Sequence, residues 1–189
     1  MLSEQDLDSE LVERARQGDA TAFGALVTRY QRLLTSLAYG ILENQARTED
    51  AVQEAFATAW RTLPGFRAEG RFRNWLCRIA VNKACSALRW GRLRSWLSLD
   101  AGPGEGWGET LRDESSGSDP ERVQLEDERS RAVREAVASL PLQQRTAVLL
   151  RSEGLDVMEV AQAMDVAEGT VKAHLHHARA RLAEALEGR

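Results

Sequence analysis

Hydrogen-bond donors and positive charges crowd the segment EGTVKAHLHHARARL, residues 168–182. At about 100° per residue, Val171, Leu175 and Ala178 share one face of a helix. The opposite face receives the polar and basic side chains, which are Lys172, His174, His176, His177, Arg179 and Arg181. Donors in that pattern suit the phosphates and base edges of a DNA major groove. A basic face is also typical of an ordinary solvated helix, so this pattern alone leaves both interpretations open.

A shorter helix precedes this one and favours the DNA interpretation. Its inner stripe is formed by Val157, Val160, Ala161 and Met164. A tight break at residues 165–167 separates it from the last helix. Helix, three-residue turn and helix is the helix-turn-helix pattern, in which the second helix enters the major groove.

A second basic region, residues 61–98, interleaves cations with aromatic residues. It holds nine Lys or Arg residues against one Glu. Aromatic rings can stack on unpaired bases while guanidinium groups hold phosphates, so this composition suits single-stranded DNA. The spacing of Phe72 and Trp75 with Leu76 is also that of a core stripe, which is the simpler explanation for those two rings.

An acidic edge lies on the preceding helix, TEDAVQEAFATAW, residues 48–60. Glu49, Asp50, Gln53 and Glu54 form that edge. It is either a solvated face or a docking surface for a basic partner, and periodicity does not decide between them.

The sequence predicts no catalytic constellation, no cofactor and no metal site. The three histidines stand together at 174, 176 and 177, and the sequence has no Gly-rich phosphate loop, C-x-x-C or HExxH. His174 and His177 lie one helical turn apart, but no Cys or carboxylate stands at a spacing that would complete a metal site.

Helical periodicity runs through almost the whole chain and predicts an all-α fold. Asp19 is a candidate N-cap of an amphipathic helix of about 22 residues. A shorter helix precedes it, another begins at Thr48 and ends at Pro64-Gly65, and a fourth carries Phe72. No stretch shows the alternation expected of a strand.

The composition changes abruptly after the fourth helix. Residues 99–128 hold ten acidic and two basic side chains, and Gly and Pro recur between 102 and 120. Such a segment buries too little apolar area to offset the entropy of ordering it. We therefore predict two small helical domains, residues 1–97 and 128–189, joined by a flexible acidic linker, residues 98–127.

Membrane and secreted classes are not expected. No apolar run approaches the roughly 20 residues that span a bilayer, and the acidic N-terminus MLSEQDLDSE lacks a signal-peptide core. Cys77 and Cys85 on one helix would lie roughly 12 Å apart, too far for a disulfide, which fits a reducing cytoplasm.

Five segments in order resemble the extracytoplasmic-function (ECF) sigma factors of the bacterial sigma-70 family. They are QGDATAFGALVTRYQ, TEDAVQEAFATAW, FRAEGRFRNWLCRIAVNKA, SLPLQQRTAVLL and EGTVKAHLHHARARL. The resemblance implies a cytoplasmic initiation factor, not an enzyme, that binds core RNA polymerase and directs it to promoters. It also implies single-stranded −10 DNA, duplex −35 DNA and an anti-sigma factor as partners.

The resemblance assigns a role to each matching position. Core-polymerase binding falls to Asp50, Gln53, Glu54 and Trp60. Recognition and melting of the −10 element fall to Phe66, Arg67, Gly70, Phe72, Arg78, Asn82 and Lys83. Recognition of the −35 element falls to Thr170, Lys172, Ala173, His174, His176, His177 and Arg179. The acidic linker takes the place of the segment that threads the polymerase channels.

Three departures from the family pattern concern the last helix. His174 and His177 stand where Arg is common, and Ala173 stands where Ser is common. Ala167 replaces a residue that often caps this helix, so a backbone N–H is left to water or DNA.

Two other classes compete with this interpretation. The first is a free-standing helix-turn-helix regulator whose residues 1–97 sense a ligand or partner. It would bind a palindromic site as a dimer and would not need core polymerase. The second, a hydrolase or nuclease, has no assembled acid, base or metal set to support it.

Overall fold

The computed structural model describes residues 4–66, 71–97 and 131–187, and the surroundings of side chains in 8–66, 71–90 and 131–187. The described backbone is α-helical apart from short turns and contains no strand, as the sequence predicted. The helices are α1 (Glu4–Arg16), α2 (Ala20–Leu42), α3 (Gln45–Thr62), α4 (Phe72–Leu97), α5 (131–138), α6 (Leu142–Ser152), α7 (Val157–Met164) and α8 (Glu168–Glu187). A 3-10 turn, Leu63–Gly65, follows α3. The predicted linker, 98–127, lies outside the described residues.

Helix α2 begins as predicted, whereas α3 begins earlier. The Asp19 carboxylate caps α2 by accepting from the backbone N–H groups of Thr21 and Ala22. The prediction that α3 starts at Thr48 is wrong, because Asn44 caps the helix through the N–H of Arg47. Thr48 is instead buried inside the helix, where its hydroxyl donates to the Asn44 carbonyl at 2.8 Å. A buried hydroxyl satisfied within its own helix resembles a cap in sequence.

Helices α1, α3 and α4 pack around α2. Side chains at most 1% exposed in this half are Leu26, Leu34, Leu37, Ala38, Ile41, Thr48, Ala55, Ala59, Leu63, Leu76, Cys77, Ala80 and Ala84. Asp8 links α1 to α2, because its carboxylate accepts hydrogen bonds from Arg29 and from the Tyr30 hydroxyl of α2. Burial, and then that hydrogen bond, raises the pKa of Tyr30, so the ring stays neutral and donates to Asp8.

Helices α6, α7 and α8 form the helix-turn-helix half that the sequence predicted. Leu150, Leu155, Val160 and Val171 are completely buried at its centre. Asp165 ends α7 in the left-handed conformation, at φ 57°, and so turns the chain towards α8. Aspartate tolerates that conformation better than most residues, so the tight turn needs no glycine.

The two halves also touch each other. Helix α2 packs on α6, and α4 packs on α7, so the apolar core is continuous between them. At Gly40 an added Cβ would lie 2.7 Å from a Leu149 methyl, so α2 and α6 approach closely there. Within the described residues, no helix is long and apolar enough to cross a membrane.

A capping box organises the short helix α7. The Asp156 carboxylate accepts from the Glu159 N–H, and the Glu159 carboxylate accepts from the Asp156 N–H, both at 2.8 Å. Each bond gives an acceptor to a backbone N–H group that has no partner within the helix. Because α7 has only eight residues, these bonds are a large part of what defines its start.

Asp156→Ala should therefore lower the free energy of unfolding by about 1 kcal/mol, measured by urea denaturation. Asp156→Ser keeps a side-chain acceptor and should lose less than half of that amount. Equal losses for the two substitutions would show that capping is not the source of the effect.

Candidate nucleic-acid interface

An aromatic cluster lies where α4 begins. Phe66 and Phe72 contact each other edge to face, with ring centroids 5.9 Å apart, and Trp75 lies 5.0 Å from Phe66 and 5.6 Å from Phe72. Tyr30 of α2 completes the group, 5.7 Å from Phe72. Phe66 and Phe72 are only 8% and 7% exposed. The resemblance assigns both rings to the −10 site, and in this structure they are buried against each other and against Trp75 where α4 begins.

Two further predicted −10 positions, Arg67 and Gly70, lie outside the described residues. The remaining three are on α4, where Arg78 and Asn82 are exposed and Lys83 is half-buried. The structure therefore brings these three to the surface of one helix.

An exposed polar stripe begins at Arg71, the residue before α4, and continues along the helix. Arg71, Arg78, Asn82 and Arg89 follow one another at spacings of seven, four and seven residues and are all exposed. These spacings keep them within about 40° of one line on the helix, over roughly 27 Å. Arg71 and Arg89 belong to the basic region that the sequence predicted for single-stranded DNA, but neither was assigned to the −10 site itself.

The acidic edge of α3 lies beside that stripe. Asp50, Gln53 and Glu54 are exposed, as predicted for a docking surface. The Glu54 carboxylate pairs with the Lys83 ammonium of α4 at 3.2 Å. The two side chains are 67% and 30% exposed, so the pair stabilises the fold by at most about 1 kcal/mol. Its main consequence is that the acidic and basic surfaces adjoin.

Trp60, the fourth predicted polymerase contact, lies in a different environment. Its ring is half-buried against Phe23 of α2, with centroids 4.9 Å apart. This geometry makes Trp60 part of the packing between α2 and α3.

Helix α8 presents most of the predicted −35 residues. Thr170, Lys172, Ala173, His176, His177 and Arg179 are exposed, whereas His174 is half-buried. Val171 and Ala178 are buried on the opposite side and fix the orientation of the helix. The Ala167 carbonyl accepts from the N–H groups of Thr170 and Val171, but its side chain offers no acceptor to the first turn.

The two cysteines are packing groups rather than reactive thiols. Burial raises the pKa of Cys77 to about 12 and raises that of Cys85 as well. Both thiols are therefore protonated at neutral pH and serve as packing groups. Among the described residues, no cluster of His, Cys, Asp or Glu is suited to hold a metal ion.

Two family models match the chain in order. Residues 26–94 match "Sigma-70 region 2", and residues 130–182 match "Sigma-70, region 4". The first range contains α3, most of α4 and the polar stripe. The second contains the helix-turn-helix.

Similar proteins extend over almost the entire chain. The RNA polymerase sigma-H factor of Pseudomonas aeruginosa is 36% identical over 187 residues, which is 97% of this chain and 95% of the relative. The ECF RNA polymerase sigma-E factor of Escherichia coli (strain K12) is 39% identical over 182 residues, 94% of this chain and 93% of the relative.

Two solved structures share the fold. CnrH, in complex with the cytosolic domain of CnrY, gives a TM-score of 0.69 at 24% identity and covers 97% of this chain and 99% of its own. The sigma factor RpoE of Bartonella quintana, in complex with the anti-sigma factor NepR, gives 0.70 at 23% identity, covering 87% and 96%. With both regions matched in order and relatives more than one-third identical along nearly its whole length, the chain belongs to the ECF group of the sigma-70 family and is a transcription initiation factor rather than an enzyme.

Proposed function

We propose that the two halves of this sigma factor divide promoter recognition between them. Residues 1–97 bind core RNA polymerase and melt the −10 element, and residues 128–189 read the −35 element as duplex. The observation that carries the proposal is that three exposed charged surfaces, one acidic and two basic, lie on three different helices: the acidic edge of α3, the basic stripe of α4 and the basic face of α8.

The acidic edge of α3 is the proposed dock for the polymerase. Asp50, Gln53 and Glu54 project from a helix whose other face is locked by the buried Val52 and Ala55. A rigid acidic face complements a basic partner helix and steers its approach.

The stripe on α4 is the proposed site for the melted −10 strand. Its length of roughly 27 Å allows contact with several nucleotides of one strand. Arg78 and Lys83 supply charge for phosphates, and Asn82 supplies a donor and an acceptor for a base edge. Capturing an unstacked base opposes restacking, which is worth a few kcal/mol.

The exposed face of α8 is the proposed reader of the −35 element. Lys172 and Arg179 lie seven residues apart, within about 20° of each other on the helix. The histidines between them add donors at positions where the family commonly has arginine, so this chain should prefer a different −35 sequence from its arginine-bearing relatives.

The remaining parts of the proposal concern partners and place. We infer that the acidic linker, 98–127, enters the nucleic-acid channels of the polymerase, where its negative charge is complementary. We also infer that the chain acts in the cytoplasm, where its polymerase and DNA are, and that an anti-sigma factor holds it inactive.

Run-off transcription with core polymerase on genomic fragments tests the function directly and identifies a promoter. In that assay, Asp50→Arg combined with Glu54→Arg should abolish transcription and reduce retention by core at least tenfold. Like charges facing each other across an interface cost several kcal/mol. Helical circular dichroism should be unchanged, because both positions are exposed.

The matched control is Glu184→Arg combined with Glu187→Arg, which changes the net charge equally at exposed positions on α8. It should retain core binding. Asp50→Arg alone leaves the Glu54–Lys83 pair intact and should give an intermediate loss. If the α3 double variant binds core as well as the control does, the polymerase does not dock on this edge.

A melting assay should distinguish the exposed residues proposed for the −10 site from the buried ones, because substitutions of the two kinds should give different defects. Asn82→Ala should reduce open complexes on duplex promoter roughly tenfold, equal to about 1.4 kcal/mol. A template with a pre-melted −10 bubble should recover part of that loss. Phe72→Ala should instead destabilise the fold by about 3–5 kcal/mol and be equally defective on both templates. A defect of Asn82→Ala that the bubble does not relieve would exclude a role in melting.

Binding of the full chain to a duplex selected from a random pool should test α8. Lys172→Ala should weaken binding to all duplexes alike and reduce the slope of log affinity against log salt by about 1. Arg134 is also exposed but lies on α5, outside the proposed reading helix. Arg134→Ala removes the same charge and should leave the slope nearly unchanged. Identical slopes for both variants would mean that charge is sensed without a specific phosphate contact.

A further inference from the structure

His176 lies on the side of α8 that faces away from the core. The buried Val171 and Ala178 define the inner side of the helix. At about 100° per residue, the line opposite them passes within about 30° of His176, which is exposed. Lys172 and Arg179 lie on one flank, about 70° and 90° from that line. Of the polar side chains proposed to read the −35 element, the His176 ring therefore points most directly away from the core.

Small residues flank His176 along the helix. Ala173 and Ala180 lie one turn before and one turn after it on the same side, and both are exposed. Base edges lie at the floor of the major groove, deeper than the phosphates at its rims. Two methyl groups beside the imidazole allow the helix to approach that floor closely. The longer cationic side chains on the flank are then left for the phosphates.

The charged side chains within one turn of His176 are cations. Lys172 precedes it by four residues and Arg179 follows it by three. The neighbouring His177 ring contacts it with centroids 5.8 Å apart. Among the described residues, no carboxylate forms an ion pair or a hydrogen bond with either ring, and Glu168 of the same helix pairs with Lys172 at 3.8 Å instead. An anion that stabilises a protonated ring arrives only with a ligand such as DNA.

Helices α6 and α7 pack against α8, and the charged groups on them and on their adjoining turns have partners elsewhere. These groups and their partners are Arg145 with Glu43, Arg151 with the Leu155 carbonyl, Glu153 with Ser36, Asp156 with the Glu159 N–H, Glu159 with Arg71, and Asp165 with Arg78. None of these contacts involves α8. The protonation of His176 therefore depends on its own exposed face and on what binds there.

Protonation changes what an imidazole can recognise. The neutral ring donates a hydrogen bond at one nitrogen and accepts at the other, whereas the protonated ring donates at both. Guanine alone presents two acceptors, N7 and O6, in the major groove, while adenine and cytosine present a donor there. A protonated imidazole therefore matches guanine, and the phosphates on both sides of the groove compensate its charge.

We propose that His176 is a specificity-determining residue that reads a guanine of the −35 element in its protonated form and thereby couples promoter binding to pH. The inference rests on the proposed function of α8. The proton comes from solvent when the complex forms and returns to solvent when the DNA leaves. Two protonated rings as close as His176 and His177 would repel each other, so the pair takes up one proton. Imidazole changes its charge between pH 5 and 8, so affinity rises as the pH falls from about 8 to about 6.

The test measures binding of holoenzyme, assembled from core polymerase and the full chain, to the promoter duplex identified by run-off transcription. Fluorescence anisotropy is recorded between pH 6 and 8 at fixed ionic strength. Uptake of one proton changes affinity by at most about tenfold per pH unit, so the wild-type chain should bind roughly tenfold more tightly at pH 6 than at pH 8. Every variant is assembled with the same core, so titration of the polymerase is common to all of them.

His176→Gln keeps one donor and one acceptor but cannot become charged, so it should lose the pH dependence. The matched control is His174→Gln. His174 is half-buried and lies about 160° from His176 around the helix, so this variant should keep the pH dependence whatever its absolute affinity. His176→Arg carries a charge that does not titrate in this range. It should bind several-fold more tightly than the wild-type chain at pH 8 and show little further change at pH 6.

The base is identified by replacing each guanine of the −35 element in turn with 7-deazaguanine, which lacks the N7 acceptor. At one position this replacement should abolish the pH dependence of the wild-type chain. At the same position it should have little effect on His176→Gln, which has no protonated ring to lose.

Three results would overturn the proposal. The first is wild-type binding that changes with pH no more than that of His176→Gln. The second is a −35 element without guanine. The third is a pH dependence that survives every 7-deazaguanine replacement, which would mean that the proton serves a phosphate contact. In all three cases transcription from the promoter persists and the proposed function stands. If the holoenzyme transcribes from no specific promoter at any pH, the proposed function fails, and this inference fails with it.

Discussion

Close packing of α3 against α4 is the constraint on which the functional surfaces depend. Ala55 and Ala59 of α3 and Ala80 and Ala84 of α4 are at most 1% exposed. Small side chains at a helix contact let the axes approach to the short end of the usual 8–10 Å range. The approach places Glu54 beside Lys83, so the acidic edge and the basic stripe form one continuous surface. Because all four alanines are buried, a larger residue at any of them would overpack the core.

Local sequence signals predicted the helices well and their contacts less well. The Asp19 cap, the length of α2 and the break at 165–167 follow from side-chain chemistry that acts within four residues. The burial of Phe66 does not follow from such local chemistry, because it depends on contacts with Phe72 and Trp75 of the next helix. An aromatic residue among arginines has the same local pattern whether its ring stacks on a base or on another ring.

The contact between the two halves could not be predicted from local sequence patterns at all. Glu43 and Arg145 are 102 residues apart, and nothing in the periodicity of α2 or α6 pairs them. A glycine inside a long helix costs about 1 kcal/mol relative to alanine, and Gly40 lies inside α2. The structure supplies the reason for that cost, because Leu149 occupies the space that a Cβ would fill.

Glu159 shows how the helix-turn-helix joins local folding to contact between the halves. Its carboxylate accepts from the Asp156 N–H within α7 and also faces Arg71 before α4, while its side chain is only 8% exposed. A buried carboxylate without partners would cost several kcal/mol. The capping bond and the contact with Arg71 both offset that cost, so one carboxylate defines the start of α7 and also contacts the residue that precedes α4.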